Sequence, residues 1–238
     1  MSEISNISYL KFLQSSGVTT FLQNKPNYFY TQSSSKQISL ISDKIEDISN
    51  IEELEFFIKT HNQCNLKHSA KKTVIGDGNT KADIMLIGEA PGAEEDKAGK
   101  PFVGAAGQLL NKMLAAIKLE RYDVYITNII PWRPPNNRAP TNEEILQCLP
   151  FVQRHIELVN PKFILLLGST AAKAILSTSL SIAKLRGNWY DYKSLNLNRT
   201  IHCLATYHPA FLLRSPNYKK QSWEDLQILQ QKIVDEIL

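Results

Sequence analysis

The sequence predicts an α/β fold with a mainly parallel sheet covered by helices on both faces. Two observations carry this. Short aliphatic runs alternate with segments of helical periodicity from about residue 82 onward. The first run, Ala82-Asp-Ile-Met-Leu-Ile87, leads straight into a glycine-rich loop, as strands do at the carboxyl edge of open α/β sheets.

Taken in order, residues up to about Asp47 are rich in Ser, Asn, Gln and Thr, with one apolar patch at Tyr9-Leu-Lys-Phe-Leu13. Residues 1–50 are therefore expected to be an N-terminal extension, partly disordered or with a short helix, and residues 51–238 the main domain. Ile51 to Ile58 has a helical pattern, and Val74-Ile-Gly-Asp-Gly-Asn reads as a loop before the first strand. Leu109, Leu110, Met113, Leu114 and Ile117 mark an amphipathic helix, and Val124-Tyr-Ile-Thr-Asn-Ile-Ile130 a second strand. Thr141-Asn-Glu-Glu144 has the spacing of a capped helix start, with Ile145, Leu149, Val152 and Ile156 on its buried face. Phe163 to Gly168 is a third strand followed by a small-residue helix from Thr170 to Leu176. Ile201 to Ala205 is a late strand, and Ser222 to Ile237 a closing helix.

With 238 residues and 43% hydrophobic content, the chain can bury one sizeable core but hardly two full domains. No apolar run has the length of a membrane span, and Met-Ser-Glu-Ile-Ser-Asn lacks the features of a secretory signal, so a cytoplasmic location is expected. Cys64, Cys148 and Cys203 are too few and too scattered for a disulfide framework. A net charge of +4 permits a polyanionic partner without requiring one. There is no internal repeat, no Walker A sequence and no Gly-x-Gly-x-x-Gly.

Between Gly88 and Gly107 lie five glycines, two prolines, three consecutive acids and one aromatic, in what should be an irregular, exposed segment. An ordinary connection needs only a few turn residues. Two further loops, around Asn128 and His208, should leave strand ends on the same side of the sheet. Three convergent loops predict a site.

Five motifs follow in order: Gly88-Glu-Ala-Pro-Gly92 with Glu95-Asp96, Pro101-Phe-Val-Gly104, Tyr125-Ile-Thr-Asn128, Arg133-Pro-Pro with Asn137-Arg138, and Thr206-Tyr-His-Pro-Ala210 with Leu213-Arg214. In these motifs the chain resembles family 4 uracil-DNA glycosylases. Singly, Asn128, Phe102 and His208 would be read as a strand-end cap, a core ring and a structural histidine. Five blocks in matching order, from about Cys64 to the C-terminus, reverse that balance. The resemblance implies a three-layer α/β/α fold around a four-stranded parallel sheet. It also implies hydrolysis of the bond between uracil and deoxyribose in DNA; single- or double-stranded DNA is the expected partner and a monomer the expected state.

The residue types suit that chemistry. A base removed from a duplex must be flipped into a pocket, stacked and read at its Watson-Crick edge. Phe102 can stack; Asn128 offers an acceptor for N3–H and a donor for O4. His208 can donate to the negative charge that develops on uracil O2, helped by backbone N–H groups at Glu89 and Ala90. Glu89 can offset the positive charge on the sugar and orient or deprotonate water, with Glu95 as the competing carboxylate. Arg133, Asn137 and Arg138 suit phosphate contact, and Leu213 beside Arg214 suits a wedge into the base stack, whereas Phe211 and Leu212 read as core.

The resemblance also implies a four-iron, four-sulfur cluster held by four cysteines, and here the chain departs from it. Cys64 and Cys148 match two of the ligands, but Lys67 and Trp132 stand at the other two positions. Neither an ammonium nor an indole replaces a thiolate, so no cluster, metal or other cofactor is expected. Two rival readings remain: a DNA-binding relative that has lost catalysis, and a hydrolase holding a divalent metal through Glu94, Glu95 and Asp96.

Overall fold

The computed structural model describes residues 45–194 and 196–237, so the predicted extension up to residue 44 lies outside the described residues. Ile45 and Ile48, just inside them, are buried among the core side chains.

Six strands, β1 (Gly76–Gly78), β2 (Ile84–Gly88), β3 (Val124–Asn128), β4 (Phe163–Leu167), β5 (Trp189–Lys193) and β6 (Thr200–Thr206), form one sheet in the order β1-β3-β2-β4-β6-β5. Its centre is the four predicted strands, β2, β3, β4 and β6, all parallel. Two short antiparallel strands, β1 and β5, extend the expected four to six. Their sequences hide them. β1 is only Gly-Asp-Gly and β5 is half-exposed, so neither has the aliphatic run that marks a buried strand.

In contrast, β2, β3 and β4 are buried at every position because both sheet faces are covered. Met85, Ile87, Ile164 and Leu166 pack on one side beneath α1 (Ile51–Thr60), α5 (Asn142–Val159) and α6 (Ser169–Leu176). Ile84, Leu86, Leu165 and Leu167 pack on the other, against α4 (Ala105–Ala116) and α9 (Lys219–Ile237). Alternate residues of each strand thus feed separate cores. The predicted capping box opens α5: Thr141 Oγ1 accepts from Glu144 N, and the Glu144 carboxylate from Thr141 N.

The glycine-rich loop is not wholly irregular. Its acidic run forms the short helix α3 (Ala93–Ala98), with its carboxylates in the first turn where the helix dipole favours them. Glu95 and Asp96 are buried rather than solvated. Among the described residues, no helix is long and apolar enough to cross a membrane.

Candidate active site

Register brings the site together. Gly88 and Asn128 end β2 and β3 as direct neighbours, and Leu167 pairs Thr206 at the ends of β4 and β6. Four parallel strands therefore discharge their loops at one carboxyl edge. Glu89, Ala90, Glu95, Phe102, Asn128, Asn137, Arg138, His208 and Arg214 line one cavity there of about 390 Å³, a size suited to a small molecule or a single base. Arg133 and Leu213 lie outside its lining. Leu213 is 44% exposed on α8 (Pro209–Arg214), beside the cavity-lining Arg214, whereas Leu212 is buried and Phe211 packs on Tyr207 and Tyr218.

Asn128 is 5% exposed, and its Oδ1 has no hydrogen-bond partner among the described residues. A buried acceptor left without a donor costs about 1–3 kcal/mol. A glycine at 88 is what makes room for it: a Cβ there would lie 2.4 Å from Asn128 Oδ1 and 2.6 Å from Phe102 Cζ.

Phe102 adopts the left-handed conformation at φ 51°, unusual for a bulky residue, and is held there by Arg121. Arg121 Nη1 donates to Phe102 O at 3.0 Å, while its Nε donates to Asp77 Oδ2 at 2.6 Å. Asp77 sits on β1, so the inconspicuous edge strand anchors the Phe102 backbone through Arg121. The sequence gives no signal for this clamp beyond an Arg and an Asp separated by 44 residues.

His208 is the N-cap of α8. Its Nδ1 accepts from Ala210 N at 3.1 Å, which fixes the neutral tautomer with the proton on Nε2. Burial, reinforced by Arg214 and opposed by Glu95, lowers its pKa to about 4. The ring stacks on Phe102 with centroids 5.5 Å apart. The turn after β4 closes in from the other side: Gly168 has φ +93°, and a Cβ on it would lie 2.9 Å from His208 Cβ.

The two competing carboxylates have different surroundings. Glu95 Oε1 accepts from Val103 N (2.9 Å) and Gly104 N (2.8 Å), and Oε2 from Gly92 N (3.1 Å). It staples both ends of the loop. Glu89 is half-buried; Thr170 Oγ1 donates to its Oε2, and its Oε1 has no protein partner among the described residues. The three acids of the run diverge: Glu94 pairs with Lys97 in solvent, Glu95 turns into the loop, and Asp96 accepts from Lys71 N and Lys72 N. No group of three or more metal-ligating side chains converges among the described residues. That divergence removes the geometric basis for a metal held by the acidic run.

On the rim, Arg133 Nε donates to Asn137 Oδ1 at 2.7 Å. Arg138 forms a two-pronged pair with Glu144 at 2.6 and 2.8 Å, and this raises the guanidinium pKa. Asn136 and Asn137 both take positive φ, which asparagine tolerates better than most residues.

Behind this loop lie the residues at the cluster positions. Cys64 and Cys148 are both buried; the Cys148 thiol beside Cys64 lowers the Cys64 pKa, while burial pushes Cys148 well above the usual thiol range. Lys67 Nζ is 2.8 Å from Asn62 Oδ1 and also donates to Lys59 O. Trp132 is fully buried, edge-on to Phe151 with centroids 6.1 Å apart, and its Nε1 donates to Thr73 Oγ1 at 3.1 Å. Two thiols, a bonded ammonium and an indole do not fit a four-thiolate cluster.

Residues 75–227 match the profile of the uracil DNA glycosylase superfamily. The chain is 39% identical over 181 residues to a type-4 uracil-DNA glycosylase of Pyrobaculum aerophilum, covering 74% of this chain and 91% of that one. It is 42% identical to the type-4 enzyme of Sulfurisphaera tokodaii (76% of this chain, 83% of that one) and 43% identical to that of Thermotoga maritima (66% and 80%).

Proposed function

The chain belongs to the uracil-DNA glycosylase superfamily, and from that premise we propose that it excises uracil from DNA by hydrolysis, leaving an abasic site for base excision repair. The observation that carries this reading is the buried Oδ1 of the cavity-lining Asn128, an acceptor with no donor among the described residues. Uracil N3–H supplies one. Cytosine has no hydrogen on N3 and presents a donor where uracil has O4, so the same amide discriminates between them.

In this reading a flipped uracil stacks on Phe102 while Asn128 holds its edge. As the bond from C1′ to N1 breaks, electrons pass to the ring, and the Nε2 proton of neutral His208 supports the charge on O2, with the N–H of Ala90 beside it. The free oxygen of Glu89 offsets the positive sugar and takes a proton from the water that adds to C1′; the uracil anion leaves and is protonated. Glu95 shapes the loop instead, because its oxygens are occupied by three backbone donors. Arg133, Asn137, Arg138 and Arg214 contact phosphates on single- or double-stranded DNA, and Leu213 holds the gap left by the base. The protein acts as a cytoplasmic monomer without an iron–sulfur cluster, through residues 51–238, with 1–50 as an extension.

The test is a uracil-containing oligonucleotide incubated in EDTA and then cleaved with alkali. Cleavage at uracil and not at cytosine is expected from the intact protein; intact strands throughout would refute the reading. Iron at about four atoms per chain, with visible charge-transfer absorption, would refute the claim about the cluster.

A further inference from the structure

We propose that Thr170 is the positioning residue for the Glu89 carboxylate, aiming it at the water, a role that rests on the reading of Glu89 given above. The strand order places β4 between β2 and β6, so the turn Gly168-Ser169-Thr170 emerges between the loops that carry Glu89 and His208. It touches both. Gly168 abuts His208, while the Thr170 hydroxyl, on the second residue of α6, donates to Glu89 Oε2. Thr170 does not line the cavity, and among the described residues its one side-chain hydrogen bond to the site is this one.

A glutamate has three side-chain torsions, and a half-buried one samples several rotamers unless something holds it. Thr170 occupies one oxygen and thereby fixes the plane of the carboxylate. The other oxygen, without a protein partner among the described residues, is left for water and sugar. The backbone of Glu89 is tied as well, its carbonyl accepting from Ile130 N at 3.1 Å. The main chain and one oxygen are thus fixed, leaving a single oxygen to do chemistry.

The test is a double-mutant cycle under single-turnover conditions, with DNA binding measured alongside. Thr170→Val keeps the shape and removes the donor; it should slow uracil release roughly tenfold or more, the scale of a hydrogen bond to a charged group, with DNA affinity unchanged. Thr170→Ser keeps the donor and should stay within about threefold of the parent. In a Glu89→Gln background, Thr170→Val should add less than about twofold, since an amide that cannot deprotonate water gains nothing from being aimed. If Thr170→Val does not fold, Thr170→Ala carries the same expectation. A parental rate in the donor-less variant, or an equal loss in both backgrounds, overturns the proposal while the Glu89 reading stands. A parental rate in Glu89→Gln removes the Glu89 reading and this proposal with it.

Discussion

The two ends of the Arg133 loop are built on opposite principles. On the cavity side, Phe102 is clamped in a left-handed conformation, and among the described residues Asn128 holds a buried oxygen with no partner and Glu89 keeps one oxygen unbonded. On the Trp132 side, the indole N–H and the Lys67 ammonium are both bonded, and the ring is closed in by Phe151. Buried His61 Nε2 and His155 Nε2 also lack partners among the described residues, but neither residue lines the cavity; at Asn128 and Glu89 the unspent hydrogen-bonding capacity belongs to residues whose cavity a ligand can fill. The resemblance to family 4 enzymes covers both regions, yet only the first presents groups that could act on a substrate.

The largest effect that could break this contrast lies in the cavity. His208→Ala should lower the single-turnover rate of uracil release by roughly two orders of magnitude or more, the cost of losing an oxyanion donor, while DNA affinity changes little. Glu89→Gln should fall at least as far. Glu95→Gln is the control: its amide supplies one acceptor where the carboxylate binds three backbone donors, so loss of thermal stability should exceed loss of rate. A Glu95→Gln that folds normally yet loses more rate than Glu89→Gln would move the water to Glu95.

At the closed end the expectation inverts. Trp132→Ala should destabilise the fold by about 3–5 kcal/mol, as for other large buried aromatics. Below its melting temperature it should excise uracil from single strands at nearly the parental rate. A stable Trp132→Ala with a slow chemical step would show that the two ends are coupled and that the contrast drawn here is too sharp.

Much of this division was legible in the residues. Four aliphatic runs marked the parallel strands, and the loops after three of them brought Glu89, Asn128 and His208 to one edge. The fourth loop, Gly168 to Thr170, was equally implied, since a parallel strand between two others must end at the same edge; its side chains are small and carry no charge to draw notice. Arg121 and Asp77 were hidden for another reason. They act through a long-range pair at an edge strand too short and polar to have a hydrophobic period. Glu95 was ambiguous because a carboxylate that caps a helix start and one in a reaction look alike until the backbone donors are in place.

A smaller effect sharpens the contrast at the rim. Leu213 is exposed on α8 and makes no part of the core, so Leu213→Ala should leave stability unchanged. It should slow excision from duplex DNA several-fold more than from single strands, where no stack has to be opened. Equal losses on both substrates would return Leu213 to general binding.

The finest comparison sets one histidine from each end side by side. Burial lowers both His208, in the cavity, and His155, fully buried on α5 against Tyr125, to about 4 from an ordinary value of 6.5. Because the folded values lie below the unfolded one, the unfolded chain binds the extra protons between about pH 6.5 and 4. Stability is therefore complete above that window and is lost as pH falls through it, at a limit of about 1.4 kcal/mol per pH unit for each histidine. His155→Gln should flatten that decline without changing the rate of uracil release, because His155 faces no reacting atom. His208 should contribute no inflection near pH 6.5 to the single-turnover rate, since its ring is already neutral there and its Nε2 proton already in place. A rate that rises or falls through pH 6.5 and loses that dependence in His208→Gln would mean that the cavity histidine is far more solvated than its packing against Phe102 and Gly168 implies, and that the open end of the molecule is open to water as well as to a base.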